Sequence, residues 1–241
     1  MSSFLKLKKD TILGEIIYSD RKGYMMSELI VLNADHPAVK YLCKKDKRLA
    51  KVISMVGEIS YQPYEDGYSF LVHEIIEQML SIKAGAKIYG RLEELCGGSI
   101  TPEKVNALSE EEIRTIGTSS SKAKYIKGIT EEVLSGRLAF DKIANMTDEE
   151  AYKKLLALKG IGSWTVKMYL IFVLNRQNIL PIEDVAFLQS YKWMYKTDDV
   201  SKETVMKKCK KWCPYSSIAA RYLYRALDMG LTKKEFHLFK E

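Results

Sequence analysis

The stretch that most restricts what this chain can fold into is residues 147–174. Thr147-Asp148-Glu149-Glu150 is a capping box. Its threonine oxygen takes an N–H of the first turn, and its glutamate reaches back to the threonine N–H. The helix it opens runs to about Ala157. Leu158-Lys159-Gly160-Ile161-Gly162-Ser163-Trp164-Thr165 follows, and then a helix holding the longest apolar run of the chain, residues 168–174. Two glycines one residue apart permit positive φ and leave no Cβ against a close neighbour. The pattern predicts a tight helical hairpin, with Ser163 capping the second helix and Ile161 plugged between the two. Backbone N–H groups emerge where the second helix presents its positive end, which suits an anion such as a phosphate. Lys159 and Lys167 add charge nearby. Taken alone, G-x-G usually means a helix–helix turn and nothing more. With no strand before it and no third glycine after it, it is not a dinucleotide fingerprint.

The rest of the chain reads as helices around this hairpin, so the fold class is mainly α. Helical spacing marks residues 38–56 after the His36-Pro37 break, and residues 69–92, with Gly85 as a bend. Thr101-Pro102 is a cap before a first-turn proline, and Ser109-Glu110-Glu111-Glu112 is a second capping box. Residues 122–134, 201–212 and 216–227 are further helices. The first 35 residues differ. Residues 11–18 and 28–32 are β-like segments separated by a turn at 20–23, which predicts a small N-terminal β element. The expected division is therefore 1–35 as this segment and 36–241 as one helical domain of two lobes, with the hairpin at about 148–174.

Length and composition exclude some classes. For 241 residues, 46% hydrophobic and 29% charged, a globular fold is expected rather than disorder. Lys plus Arg is 38 against 31 for Asp plus Glu, a net charge of +7, which is compatible with a polyanionic partner. No apolar run approaches the ~20 residues of a membrane span, and residues 1–10 do not read as a signal peptide. No membrane partner is expected. Cys43, Cys96, Cys209 and Cys213 read as free thiols in a reducing, cytoplasmic setting. His36, His73 and His237 are too scattered to complete a four-ligand metal site with Cys209 and Cys213.

One helix beyond the hairpin, Leu180-Pro181-Ile182-Glu183-Asp184-Val185-Ala186-Phe187 places carboxylates after a proline. Asp184 can cap the next helix, or it can be an acid held at a helix start and aimed into a cleft. These stretches together resemble the helix-hairpin-helix superfamily of base-excision DNA glycosylases, and within it the bacterial 3-methyladenine DNA glycosylase II type. Three blocks carry the resemblance. They are Ile75-Ile76-Glu77-Gln78-Met79-Leu80-Ser81-Ile82-Lys83-Ala84, the segment from Gly117 to Tyr125, and the hairpin followed by residues 181–184 and 212–225. Their order and spacing agree over about residues 36–230.

The resemblance implies a two-lobed helical fold with the cleft between the lobes. It also implies a reaction: hydrolysis of the N-glycosidic bond of a damaged, alkylated purine flipped out of duplex DNA by a monomeric enzyme. Asp184 falls on the catalytic aspartate. Trp164, Tyr224 and Met168 fall on base-pocket positions, and an electron-rich ring suits a positively charged methylated purine. Met79, with Gln78, falls on the wedge that fills the vacated stack. Gly160, Ile161, Gly162, Ser163, Thr165 and Lys159 would meet phosphate, with Lys122, Lys124 and Arg221 as further candidates. Two departures from the family matter. Trp164 stands where lyase-competent relatives carry a nucleophilic lysine, and indole forms no Schiff base, so a monofunctional enzyme is expected. Glu77 replaces the family's glycine and adds negative charge near the wedge. No iron–sulfur cluster is expected, since only Cys209 and Cys213 follow Asp184 and a cluster needs four cysteines. Family hairpins also hold Na or K with main-chain carbonyls, here Leu156, Leu158 and Ile161. The alternatives are a glycosylase for uracil, hypoxanthine or oxidised guanine, and a helix-hairpin-helix protein that binds DNA without catalysis.

Overall fold

The computed structural model describes residues 28–239. In chain order the elements are β1 (Ile30–Leu32), α1 (Pro37–Lys45), α2 (Lys47–Val56), β2 (Ile59–Tyr61), α3 (Gly67–Glu77), α4 (Ile82–Leu95), α5 (Pro102–Ala107), α6 (Glu110–Thr115), α7 (Ser120–Leu134), α8 (Phe140–Ala144), α9 (Asp148–Leu156), α10 (Ser163–Phe172), α11 (Val185–Tyr195), α12 (Lys202–Cys209) and α13 (Ser216–Asp228). The fold is thus mainly α with two compact units, as expected. The chain leaves one unit after Pro63, builds the second from Tyr64–Asn175, and returns to the first at Arg176.

In the first unit β1 pairs antiparallel with β2, Ile30 opposite Tyr61 and Leu32 opposite Ile59. The β-like segment at 28–32 therefore finds its partner at 59–61, within the range read as mostly helical. The expected strand at 11–18 and the turn at 20–23 lie outside the described residues. The apolar run 38–56 is two helices, because Asp46 interrupts it. Its Oδ1 accepts from Arg48 N at 3.0 Å and Leu49 N at 3.3 Å and so starts α2. Its Oδ2 accepts from Trp212 Nε1 at 2.9 Å, pairs with Lys211 Nζ at 3.0 Å and meets the Tyr195 hydroxyl. A nearly buried carboxylate with this many partners is satisfied rather than a liability. α13 packs against α2 and α11 around Leu49, Val52, Phe187, Tyr191, Trp212 and Leu223, all fully buried.

In the second unit the long run expected over 69–92 breaks at residues 78–81, four residues before Gly85. Met79 takes φ +58°, which no helix tolerates, and Ser81 restarts the chain by capping α4 through Ala84 N at 3.3 Å. Gly85 stays helical for a packing reason: a Cβ there would sit 2.6 Å from Cγ of Glu77. Gly67 has the same logic, because a Cβ would lie 2.2 Å from the Tyr169 hydroxyl. Both capping boxes form, at Ser109–Glu112 and Thr147–Glu150. Leu71, Ile75, Ile76, Ile126, Leu155 and Val166 make the core of this unit.

Candidate active site

The hairpin joins α9 to α10 in six residues, 157–162. After the last turn of α9, Leu158 N donates to Leu155 O and Ile161 N to Leu158 O, each at 3.1 Å. Gly160 carries the positive φ, +87°, and lies against the Tyr125 ring, where a Cβ would come within 2.5 Å of two ring carbons. Gly162 is different. Its φ is −97°, which any residue adopts, and nothing lies within 4 Å of where its Cβ would be. The first glycine is thus required by the fold and the second is not. Ile161 is 6% exposed, the plug expected of it.

Ser163 does not cap α10. It is the first helical residue, the cap position is Gly162, and no side chain caps this end. The Ser163 hydroxyl instead accepts from the Tyr152 hydroxyl at 2.8 Å, which ties the two hairpin helices together. Thr165 is buried and Lys159 exposed. The exposed glycine at the start of α10 leaves main chain, not side chain, at the positive helix end.

The turn between α3 and α4 presents Met79, fully exposed at 102% and held at φ +58°. A non-glycine residue in that region costs roughly 1–3 kcal/mol and marks a position held by its surroundings. Two neighbours do the holding. Gln78 Nε2 donates to Gly160 O at 2.8 Å, so the side chain expected to enter DNA beside Met79 is bonded to the hairpin instead. Lys122 Nζ donates to Gln78 O at 2.6 Å and to Ile76 O at 3.0 Å. Lys122, a phosphate candidate from the sequence, is therefore committed within the protein. On α10, Trp164 is half-buried in the first turn, and Met168, buried, follows one turn later on the same side.

In the first unit, Asp184 N donates to Pro181 O at 3.0 Å, which turns the chain into α11. Asp184 is the cap: its Oδ1 accepts from Phe187 N at 2.7 Å. It is 9% exposed. The helix end favours a negative charge at this position. Tyr224, on α13, lies nearby; burial first, and then the Asp184 charge, push that phenol well above the ordinary tyrosine range. Tyr224 is 1% exposed, so it stands behind Asp184 rather than offering an open ring. Arg221, one turn earlier on α13, is buried with its guanidinium 3.7 Å from the Tyr61 ring centroid, a cation–π contact and not a surface phosphate contact. Cys209 is buried and Cys213 exposed.

The chain belongs to the HhH-GPD superfamily of base excision DNA repair proteins, whose family model matches residues 72–215. Among its relatives, DNA-3-methyladenine glycosylase 1 of Schizosaccharomyces pombe is 29% identical over 199 residues, 79% of this chain and 86% of that protein. A putative DNA-3-methyladenine glycosylase of Bacillus subtilis is 33% identical over 128 residues, covering 53% of this chain and 45% of that one. Among solved structures, the DNA-3-methyladenine glycosidase of Bacillus halodurans superposes with a TM-score of 0.79 at 35% identity, over 87% of this chain and 97% of that chain. The S. pombe 3-methyladenine DNA glycosylase in complex with abasic DNA gives 0.71 at 26% identity, over 86% and 100%.

The bracing roles of Gln78 and Lys122, the Tyr125 contact with Gly160 and the buried Arg221 were not visible in the sequence. A lysine that donates to main chain has no sequence mark that separates it from a solvated one. The only hint was that Gln78 and Lys122 both stand inside family blocks.

Proposed function

We propose that the protein is a monofunctional DNA glycosylase that removes alkylated purines from duplex DNA, acting as a monomer. The observation that carries this reading is Asp184: an acidic side chain fixed at the start of α11, backed by a buried tyrosine, in a chain of the base excision superfamily. The names of the relatives support the alkylated-base class, and the neighbour held in a complex with abasic DNA supports a DNA ligand.

A stacked base is out of reach of any side chain, so the nucleotide turns out of the helix, at a cost of a few kcal/mol. Met79 fills the gap as an apolar wedge. The hairpin main chain from Gly160 to Thr165 holds a phosphate beside it, with Lys159 adding charge. The bond from the sugar C1′ to the base nitrogen then breaks, and its electron pair leaves with the base. Alkylation has already given that base a positive charge, so it departs neutral and needs no acid. The sugar is left cationic, and the Asp184 carboxylate stabilises it. Water adds at C1′ and loses a proton, which leaves an abasic site and a free base. Trp164 offers a ring face to the flipped purine, and Met168 supports it from the next turn. With no amine at Trp164 the strand stays intact.

The donor set at the hairpin also fits an alkali cation. The Leu156 carbonyl belongs to the last turn of α9, where carbonyls have no intrahelical partner, and Leu158 O keeps a second lone pair beyond its bond to Ile161 N. With Ile161 O these would hold Na or K, which would supply charge against the phosphate.

The test is a set of duplexes, each with one modified base: 3-methyladenine, 7-methylguanine, hypoxanthine, uracil or 8-oxoguanine. Release of the methylated purines, with little of the others, is expected. Release of the oxidised or deaminated bases alone would move the enzyme to another lesion class, and release of none would leave a DNA-binding protein.

A further inference from the structure

The Met79 turn has almost no packing of its own. Its tip is fully exposed and left-handed, and Leu80 beside it is 40% exposed. Such a four-residue segment normally samples many conformations. Here three side-chain hydrogen bonds hold it, and all involve the hairpin or the single helix α7. Lys122 spends its ammonium on the carbonyls of Ile76 and Gln78, at 3.0 and 2.6 Å. Gln78 carries the connection to the hairpin through Gly160 O at 2.8 Å. Tyr125, one turn beyond Lys122 on the same side of α7, lies against Gly160 at the position where a Cβ would clash. One helix face therefore touches both the turn and the hairpin, and a side-chain amide joins the two directly.

We propose that Lys122 and Gln78 are positioning residues that set the spacing between the Met79 wedge and the phosphate-binding hairpin. The inference rests on the glycosylase reading, because that reading gives the turn and the hairpin their tasks. The physical argument is preorganisation. The hairpin fixes the register of the protein on one strand, and a wedge must then enter one particular base step. A brace formed before DNA arrives removes the ordering cost from that moment. A charged donor is suited to the work, since hydrogen bonds with one ionised partner are stronger than neutral ones.

The test reads wedge insertion separately from base release. A duplex carries a reduced abasic site opposite 2-aminopurine, whose fluorescence rises when the wedge disturbs its stacking. Wild type should give the rise and Met79→Ala should lose it. Lys122→Met and Gln78→Leu should each reduce the insertion equilibrium roughly tenfold, the scale of losing one or two such hydrogen bonds, while affinity for undamaged duplex stays within about threefold. Lys122→Arg, which keeps donors at that site, should restore most of the signal. Lys122→Met added to Met79→Ala should cost no more insertion than Met79→Ala alone, as expected when one residue acts through the other. A wild-type rise retained in full by both Lys122→Met and Gln78→Leu overturns the inference, and so does a loss matched by equal loss of affinity for undamaged DNA. If wild type inserts its wedge but releases no base from any modified duplex, the glycosylase reading fails instead.

Discussion

Asp184 does two jobs with one carboxylate. One oxygen starts α11, and in the proposed reaction the group as a whole is the charge offered to the sugar. In the sequence the cap reading and the active-site reading are alternatives, yet the cap is what makes the second workable: a side chain held by Phe187 N is fixed in its orientation. Tyr224→Phe removes the hydroxyl while keeping the ring. It should lower base release without changing the product, because Asp184 loses the polar group buried beside it. A rate equal to wild type would show that the Phe187 bond alone suffices.

The two hairpin glycines make a second test at this scale. Gly160→Ala forces a Cβ into the Tyr125 ring at φ +87° and should cost at least ~1–3 kcal/mol in stability. Gly162→Ala meets open space, so its stability should stay within ~0.5 kcal/mol of wild type, while DNA binding weakens for all sequences alike, because phosphate contacts read no sequence. Thermal melting and anisotropy with undamaged duplex measure the two quantities. Unchanged binding by Gly162→Ala would mean that the strand does not approach this glycine.

At the scale of elements, the helices with capping boxes were legible because each box is a local, self-contained hydrogen-bond circuit. The breaks were not. Asp46 and Met79 end helices that apolar periodicity would carry through, one by capping α2 and the other by a left-handed backbone held from α7. The single glycine expected to bend a helix, Gly85, instead makes room for Glu77.

Glu77 also belongs to a small charge cluster on α3. His73 Nε2 lies 3.2 Å from Glu77 Oε1 and Nδ1 lies 3.3 Å from Glu74 Oε1, and the Tyr89 ring packs at 4.9 Å. Burial is the largest single influence on His73 and acts to lower its pKa, but the bonds and charges of the two glutamates together outweigh it and raise the group above its ordinary value. The sign follows from that. The stabilisation is complete below the unfolded pKa of about 6.5 and is lost as pH rises through the higher folded value. Urea titrations from about pH 5 to about pH 9 should show stability falling across the upper part of that range, and His73→Gln should flatten the fall. Identical slopes in the two proteins would remove His73 from the account.

At the scale of the whole molecule, helical class and superfamily were readable from three motif blocks in the right order. The path of the chain was not, because pairing between residues 30–32 and 59–61 is a tertiary fact with no local signal. The reaction outcome also belongs to this scale. With tryptophan at position 164, product DNA should stay unnicked until treated with alkali, and borohydride should trap no covalent complex. A trapped complex would mean that another amine of the chain attacks the sugar.

The most direct measurement is single-turnover base release by Asp184→Asn from a duplex with one 7-methylguanine. Asparagine caps a helix as well as aspartate does, so the fold and the affinity for an abasic-site analogue should be retained. With the charge gone, release should fall by roughly 10²–10³-fold, the size of losing one electrostatic stabiliser. An Asp184→Asn protein that releases the base at the wild-type rate would show that this carboxylate serves α11 alone.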